Sequence, residues 1–186
     1  MLKHELRTTY KEKRKLLSPF FISKNSIAIA NQLLNLHIWS ASYYHIFLTI
    51  AKSKEVDTEP IITLLQARDK DIVLSKVVGK QSLKNYLLTD GTILKKNKWQ
   101  IPEPVDGIEV PEHKIDIVFV PLLAFDKKGQ RVGYGKGFYD TFLRKCRADV
   151  LKIGLSFFEA EEHIEDVEEN DVPLNYCVTP KKIYEF

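Results

Sequence analysis

Ile115-Asp116-Ile117-Val118-Phe119-Val120-Pro121 is the stretch on which the architecture turns. It is apolar almost throughout and rich in β-branched residues, the pattern of a strand shielded on both faces. Toward the start of the chain, Asp71-Ile72-Val73-Leu74-Ser75-Lys76-Val77-Val78 and the aromatic and β-branched run from Ser42 to Ile50 read as further strands. Toward the end, Val150-Leu151-Lys152-Ile153-Gly154-Leu155 and the short run from Asn175 to Thr179 read as two more. Helices fill the intervals. Leu2, Leu6, Tyr10 and Leu17 lie near helical spacing, and Ser18-Pro19 closes that helix and opens a second reaching about His37. Thr58 is placed to cap a third helix through Ala67, and a fourth is expected from about Gly137 to Cys146. Apolar strands alternating with helices imply a single three-layer α/β/α domain over residues 1–186, with a mostly parallel, Rossmann-like sheet. The region through Trp99 reads as short strands and turns, and Ile101 to Pro111 as an ordered proline-rich loop. Ligands of such sheets gather beyond the carboxyl ends of the strands, which directs attention to the loops after Ile50, Val77 and Val120.

At 186 residues and 44% hydrophobic content, the chain is of a size to bury one substantial core. It has no run of about 18 apolar residues, and its basic, polar start lacks the apolar segment of a secretory signal, so a cytoplasmic location away from membranes is expected. Cys146 and Cys177 stand in neither a disulfide nor a zinc spacing. A net charge of +3 is too small to announce a nucleic-acid partner. Its distribution is uneven: Lys3, Arg7, Lys11, Lys13, Arg14 and Lys15 crowd the first helix, while acids crowd Glu159 to Asp171. The acidic stretch reads as solvated surface, and monomer is the default state.

Chemistry concentrates in Gly129-Gln130-Arg131-Val132-Gly133-Tyr134-Gly135-Lys136-Gly137-Phe138-Tyr139-Asp140. Glycines at 133, 135 and 137 let backbone N–H groups approach an anion, the following helix points its N-terminal end at it, and Lys136 and Arg131 neutralise its charge. The spacing is neither that of the P-loop nor that of the dinucleotide fingerprint. A solvated glycine-rich turn reads similarly from spacing alone. Its position between a buried strand and a helix favours phosphate binding.

From Pro121 to Asp140 the chain resembles the signature of the 5-formyltetrahydrofolate cyclo-ligases, also called methenyltetrahydrofolate synthetases. The similarity runs from the basic first helix to about Thr179 and is weak between Lys80 and Lys96 and after Phe158. It implies an ATP- and magnesium-dependent ring closure of 5-formyltetrahydrofolate, with small molecules rather than nucleic acids or membranes as partners. It further implies that Lys3 and Arg7 hold nucleotide phosphates, and their four-residue spacing puts them on one helix face. Arg131, Gly133, Tyr134, Gly135, Lys136, Gly137 and Phe138 would surround ATP, and Asp140 would bind magnesium. Glu55, Trp99 and Tyr139 would hold the pterin, with Lys76 at the phosphates or the glutamate tail. Lys136, Arg131 and Tyr139 would act in catalysis. Phe138 stands where the family often has tyrosine, and Ser75 where it often has proline. A related isomerase or small-molecule kinase would reuse such an anion loop, and an RNA-binding module would use the basic helix without ATP turnover.

Overall fold

The computed structural model describes residues 1–98 and 100–186, so Trp99 lies outside the described residues. Helix α1 (Lys3–Lys15) and helix α2 (Pro19–Leu33) meet at Ser18, whose hydroxyl accepts the Phe21 N–H at 3.1 Å. Strand β1 (Tyr43–His45) and helix α3 (Glu59–Gln66) lead to the hairpin of β2 (Asp71–Val78) and β3 (Ser82–Leu87). A small ladder of β4 (Leu94–Lys96) and β5 (Pro102–Pro104) precedes strand β6 (Ile117–Pro121). A two-residue-stranded hairpin, β7 (Ala124–Phe125) and β8 (Arg131–Val132), leads into helix α4 (Phe138–Leu143). Strands β9 (Leu151–Leu155), β10 (Tyr176–Val178) and β11 (Ile183–Glu185) complete the chain.

The main sheet runs β11-β10-β9-β6-β1-β2-β3. Its inner pairings are parallel, and each edge is closed by an antiparallel strand, β3 on one side and β11 on the other. Strand alternation sorts the core into two layers. Ile117 and Phe119 pack toward Ile29 and Leu33 of α2 and Ile61 and Leu65 of α3. Val118 and Val120 pack toward Phe142 and Leu143 of α4, in a cluster that includes the fully buried Cys177. Each large apolar side chain so buried contributes roughly 1.5–3 kcal/mol. A third cluster joins Leu6 and Tyr10 of α1 to Leu123, Ala124, Val132 and Ile164, seating the first helix on the β7–β8 hairpin. Among the described residues no helix is long and apolar enough to cross a membrane.

Four expectations change in detail. The strand expected from Ser42 to Ile50 keeps its ladder only over Tyr43–His45. After the Ile46 N–H reaches Val73 O the chain turns away, and the Ile50 N–H goes to a side chain, Glu55. The fourth helix is six residues long, Phe138–Leu143, so its N-terminal end offers local N–H groups rather than a long macrodipole. Thr58 stands at the start of α3, yet its hydroxyl turns inward to Phe47 O at 2.9 Å, and Asp57 accepts the Glu59 N–H instead. The stretch from Glu159 to Asp171 is more than solvated surface, because it straps α1. Tyr10 donates to Glu161 at 2.6 Å, the Lys3 N–H to Asp166 at 2.7 Å, and the Lys3 ammonium to Asp171 at 2.5 Å. Ile101 to Pro111 is ordered as expected, with β5 at its start; proline is tolerated there because the ladder is only two strands wide.

Candidate active site

Strand β1 leads through α3 to β2 on one side, whereas β6 leads through α4 to β9 and β10 on the other. The winding of the sheet therefore reverses between the parallel neighbours β1 and β6, and the crevice beyond that point is where such sheets bind ligands. A cavity of about 600 Å³ opens there. Its walls are the segment after β1, the ends of β2 and β6, the glycine-rich loop and the first turn of α1.

One end is cationic. Lys3, Arg7, Arg131 and Lys136 line it together with Gly133, Gly135 and Gly137. The Arg7 Nε donates to Gly133 O at 3.1 Å, which lays the guanidinium along the loop. Gly135 has φ +88°, and a Cβ there would stand 3.3 Å from Arg7 Nε, so both backbone and space call for glycine. Arg131 is buried, donates to Asp140 Oδ1 at 2.6 Å and also holds Val172 O. Asp140 Oδ1 takes the Val172 N–H at 3.2 Å as well. Burial lowers the Arg131 pKa, against the opposing fields of Asp140 and Asp171.

The other end holds a buried carboxylate. Glu55 is 3% exposed and accepts the Ile50 N–H at 2.7 Å and the Tyr134 hydroxyl at 2.8 Å. Arg14, buried beneath α1, donates to the same Tyr134 oxygen at 2.8 Å and to Leu122 O at 2.5 Å. Arg14, Tyr134 and Glu55 thus form a chain from the helix, through the glycine loop, to the far wall. Burial raises the Glu55 carboxyl, while the Ile50 N–H, the Tyr134 hydroxyl and Arg14 oppose the rise. Burial raises the phenols of Tyr134 and Tyr139, and Glu55 adds to both. Tyr139 lines the cavity with its ring edge-on to His45 and Phe142, at centroid distances of 5.9 and 6.1 Å.

The residues singled out from sequence thus converge, with two exceptions. Trp99 lies outside the described residues. Lys76 does not line the cavity: alternation along β2 turns Ser75 and Val77 toward it and Lys76 away, where its ammonium meets Val105 O at 2.5 Å. Residues that sequence reasoning left unassigned also contribute. Asp171 lines the cationic end, and Arg14 donates to Tyr134. Lys3, Arg7, Tyr10 and Arg14 fall at steps of four, three and four, the spacing of one helix face, and that periodicity was the available signal.

Magnesium asks for oxygen ligands and keeps much of its shell as water and phosphate. Among the described residues no group of three or more His, Cys, Asp or Glu side chains could hold a metal alone. Asp140 and Asp171, both lining the cationic end, fit an ion carried chiefly by phosphate oxygens rather than by an all-protein cage.

The structure of Aquifex aeolicus 5,10-methenyltetrahydrofolate synthetase superposes on all of this chain and 93% of its own, with a TM-score of 0.86 at 30% identity. The Haemophilus influenzae 5-formyltetrahydrofolate cyclo-ligase is 30% identical over 92% of this chain and 94% of its own. A probable 5-formyltetrahydrofolate cyclo-ligase of Schizosaccharomyces pombe is 28% identical over 97% of this chain and 96% of its own. The sequence profile of that family matches residues 1–180, and the chain belongs to the 5-formyltetrahydrofolate cyclo-ligase family.

Proposed function

We propose that this chain closes the ring of 5-formyltetrahydrofolate to 5,10-methenyltetrahydrofolate at the cost of one ATP, releasing ADP and phosphate, with the cavity at the β1–β6 reversal as its active site. The observation that carries the reading is the shape of that cavity: a cationic, glycine-lined end and a carboxylate-bearing end share one hollow, tied together by Tyr134. A triphosphate suits the first and a flat heterocycle with N–H donors suits the second.

Ring closure expels the formyl oxygen, a poor leaving group until it is phosphorylated. The formyl oxygen attacks the γ-phosphorus and ADP leaves. N10 then attacks the activated carbon and gives up its proton, and the C–O bond breaks with phosphate carrying the electron pair. The protein's work is to align the two substrates and neutralise the moving charge, since phosphoryl transfer needs little covalent help. Lys136, Arg7 and Lys3 meet the phosphates; Arg131 fixes Asp140. Glu55 and Tyr139 orient the pterin, and Lys136, Arg131 and Tyr139 are the groups nearest the reacting atoms. Magnesium, held by Asp140 and Asp171 together with the nucleotide, would supply further charge neutralisation.

The test is to mix the purified protein with 5-formyltetrahydrofolate, ATP and magnesium and follow the near-ultraviolet absorbance of methenyltetrahydrofolate. Chromophore that appears only when all are present supports the reading. A folded protein that gives none, or that forms a stable phosphorylated product instead, overturns it.

A further inference from the structure

One wall of the cavity carries a polar chain outside the mechanism above. Ser75 of β2 lines the cavity and binds a buried side chain on each adjoining strand. Its hydroxyl donates to Asn85 Oδ1 of β3 at 2.9 Å and lies 2.6 Å from His45 Nε2 of β1. His45 is fully buried and Asn85 is 2% exposed. A hydroxyl has one proton and two lone pairs. The Ser75 proton goes to Asn85, so His45 donates through Nε2–H and its Nδ1 stays bare. Among the described residues that Nδ1 has no partner, which a bare nitrogen tolerates better than a buried N–H would. The opposite tautomer would orphan an N–H and leave two oxygens 2.9 Å apart with no proton between them. Ser75 therefore keeps one lone pair for the cavity and has no proton to offer it.

We infer that Ser75 accepts a hydrogen bond from N8–H of the bound folate, with His45 and Asn85 as positioning residues that hold its hydroxyl in that sense; the inference rests on the ring-closing reading above. An acceptor with no proton to give repels phosphate oxygens, which are acceptors themselves, so the triphosphate does not suit it. Lys3, Arg7, Arg131 and Lys136 also come from α1, β8 and the loop after it, whereas Ser75 belongs to the main sheet. The His45 ring behind Ser75 stands edge-on to Tyr139 at 5.9 Å, which puts the hydroxyl on the pterin side. The donors of the folate then sort themselves. N3–H and the 2-amino group form the pair that suits the Glu55 carboxylate, and N5 carries the formyl group. N10–H must shed its proton, and Ser75 leads to no base: burial lowers the pKa of His45 to about 3. N8–H, on the reduced ring, is the donor that remains. An acceptor there binds ground state and transition state alike, so it acts on KM rather than on kcat.

Steady-state kinetics of the unsubstituted protein, Ser75→Ala and Ser75→Thr test this with two substrates. One is 5-formyltetrahydrofolate and the other its 8-deaza analogue, in which CH2 replaces N8–H and N10 can still close the ring. Ser75→Ala is expected to raise KM for 5-formyltetrahydrofolate about threefold to tenfold, the usual scale of one hydrogen bond. Ser75→Thr keeps the hydroxyl and restores most of that loss, while kcat and the KM for ATP hold in both. The unsubstituted protein is expected to show a similar rise with the analogue, and Ser75→Ala no further one. Asn85→Ala frees the Ser75 proton, so it raises KM for 5-formyltetrahydrofolate by itself and adds nothing once Ser75 is replaced by alanine. KM does not depend on the fraction of enzyme that is folded, so a poor yield of a buried variant does not mask the result. An unchanged folate KM in Ser75→Ala overturns the inference, as does an equal rise for both substrates. A fall in kcat at constant KM would make Ser75 a proton carrier for N10, and a rise in the KM for ATP would assign the hydroxyl to the nucleotide; either overturns it too. Additive effects of Ser75→Ala and Asn85→Ala remove the positioning role. These failures all occur in an active enzyme. Absence of chromophore from the unsubstituted protein instead defeats the ring-closing reading, and the Ser75 inference with it.

Discussion

Lys136 is exposed on the rim of the cavity, so its loss removes a charge from the cationic end, where the proposed reading puts the phosphates, without opening the core. Lys136→Ala is expected to lower kcat by about 10²–10³, the usual scale for a lost donor to developing charge, with thermal unfolding unmoved. Tyr134 acts differently. Its hydroxyl sits between Arg14 and Glu55, and Tyr134→Phe strips a partner from each. Stability should fall by about 1–2 kcal/mol in urea unfolding and the KM for the folate should rise, because Glu55 loses one of the groups that aim it. His45 offers a pH test. It is fully buried, bonded through Nε2 to Ser75 at 2.6 Å, and burial depresses its pKa from 6.5 to about 3. Above pH 6.5 both folded and unfolded chains leave it neutral. Between pH 6.5 and about 3 the unfolded chain takes up a proton that the folded chain refuses, so stability declines as pH falls, by up to roughly 1.4 kcal/mol per unit. Glu55, with its carboxyl raised, pushes the other way, so the readout is the difference in slope between the parent and His45→Gln. A shallower slope in the variant across that window is expected; equal slopes would remove His45 as the cause.

At the level of elements, the β7–β8 hairpin carries the whole cationic loop on two pairs of residues. Its turn is built on the buried Asp126, whose carboxylate accepts the N–H groups of Lys128, Gln130 and Ile164 at 2.9, 3.0 and 3.0 Å. Gly129 turns the corner at φ +78°, where a Cβ would meet the Phe186 ring at 2.8 Å and Leu174 O at 3.0 Å. Gly129→Ala is therefore expected to cost about 1–3 kcal/mol and to weaken ATP binding together with stability, measurable by denaturant unfolding and nucleotide titration. Continuous apolar character made β2, β6 and β9 legible from sequence, since strands buried on both sides need little else. Short pieces were not. A ladder two residues long leaves no periodicity to read, and β1 ends where its partners diverge rather than where its composition changes. The same limit applied to single side chains: Arg14 looked like one member of a basic cluster, and only its burial distinguishes it from Lys11 and Lys13. Lys76 was misplaced for the opposite reason. A resemblance aligns positions along a strand, whereas the alternation of that strand decides which face they serve.

Across the whole molecule, the site draws on parts that are remote in sequence: α1, the segment after β1, the glycine loop and the acidic strap. A ligand that touches all of them couples their separate openings into one. Saturating ATP analogue with magnesium, at about 100 times its Kd, should stabilise the fold by about 2.7 kcal/mol, or roughly 5–10 °C in a thermal scan of a chain this long. The same shift in Asp140→Asn would show that the carboxylate contributes nothing to nucleotide binding. Cys177 extends this to kinetics. It lies fully buried in β10, its thiol pushed well above the ordinary range by burial, and Gly154 leaves room for it in the neighbouring strand. An alkylating reagent can reach that sulfur only when β10 parts from its neighbours. The protein thus carries its own clock: the rate at which Cys177 is modified, set against the half-buried Cys146, counts how often the sheet comes undone.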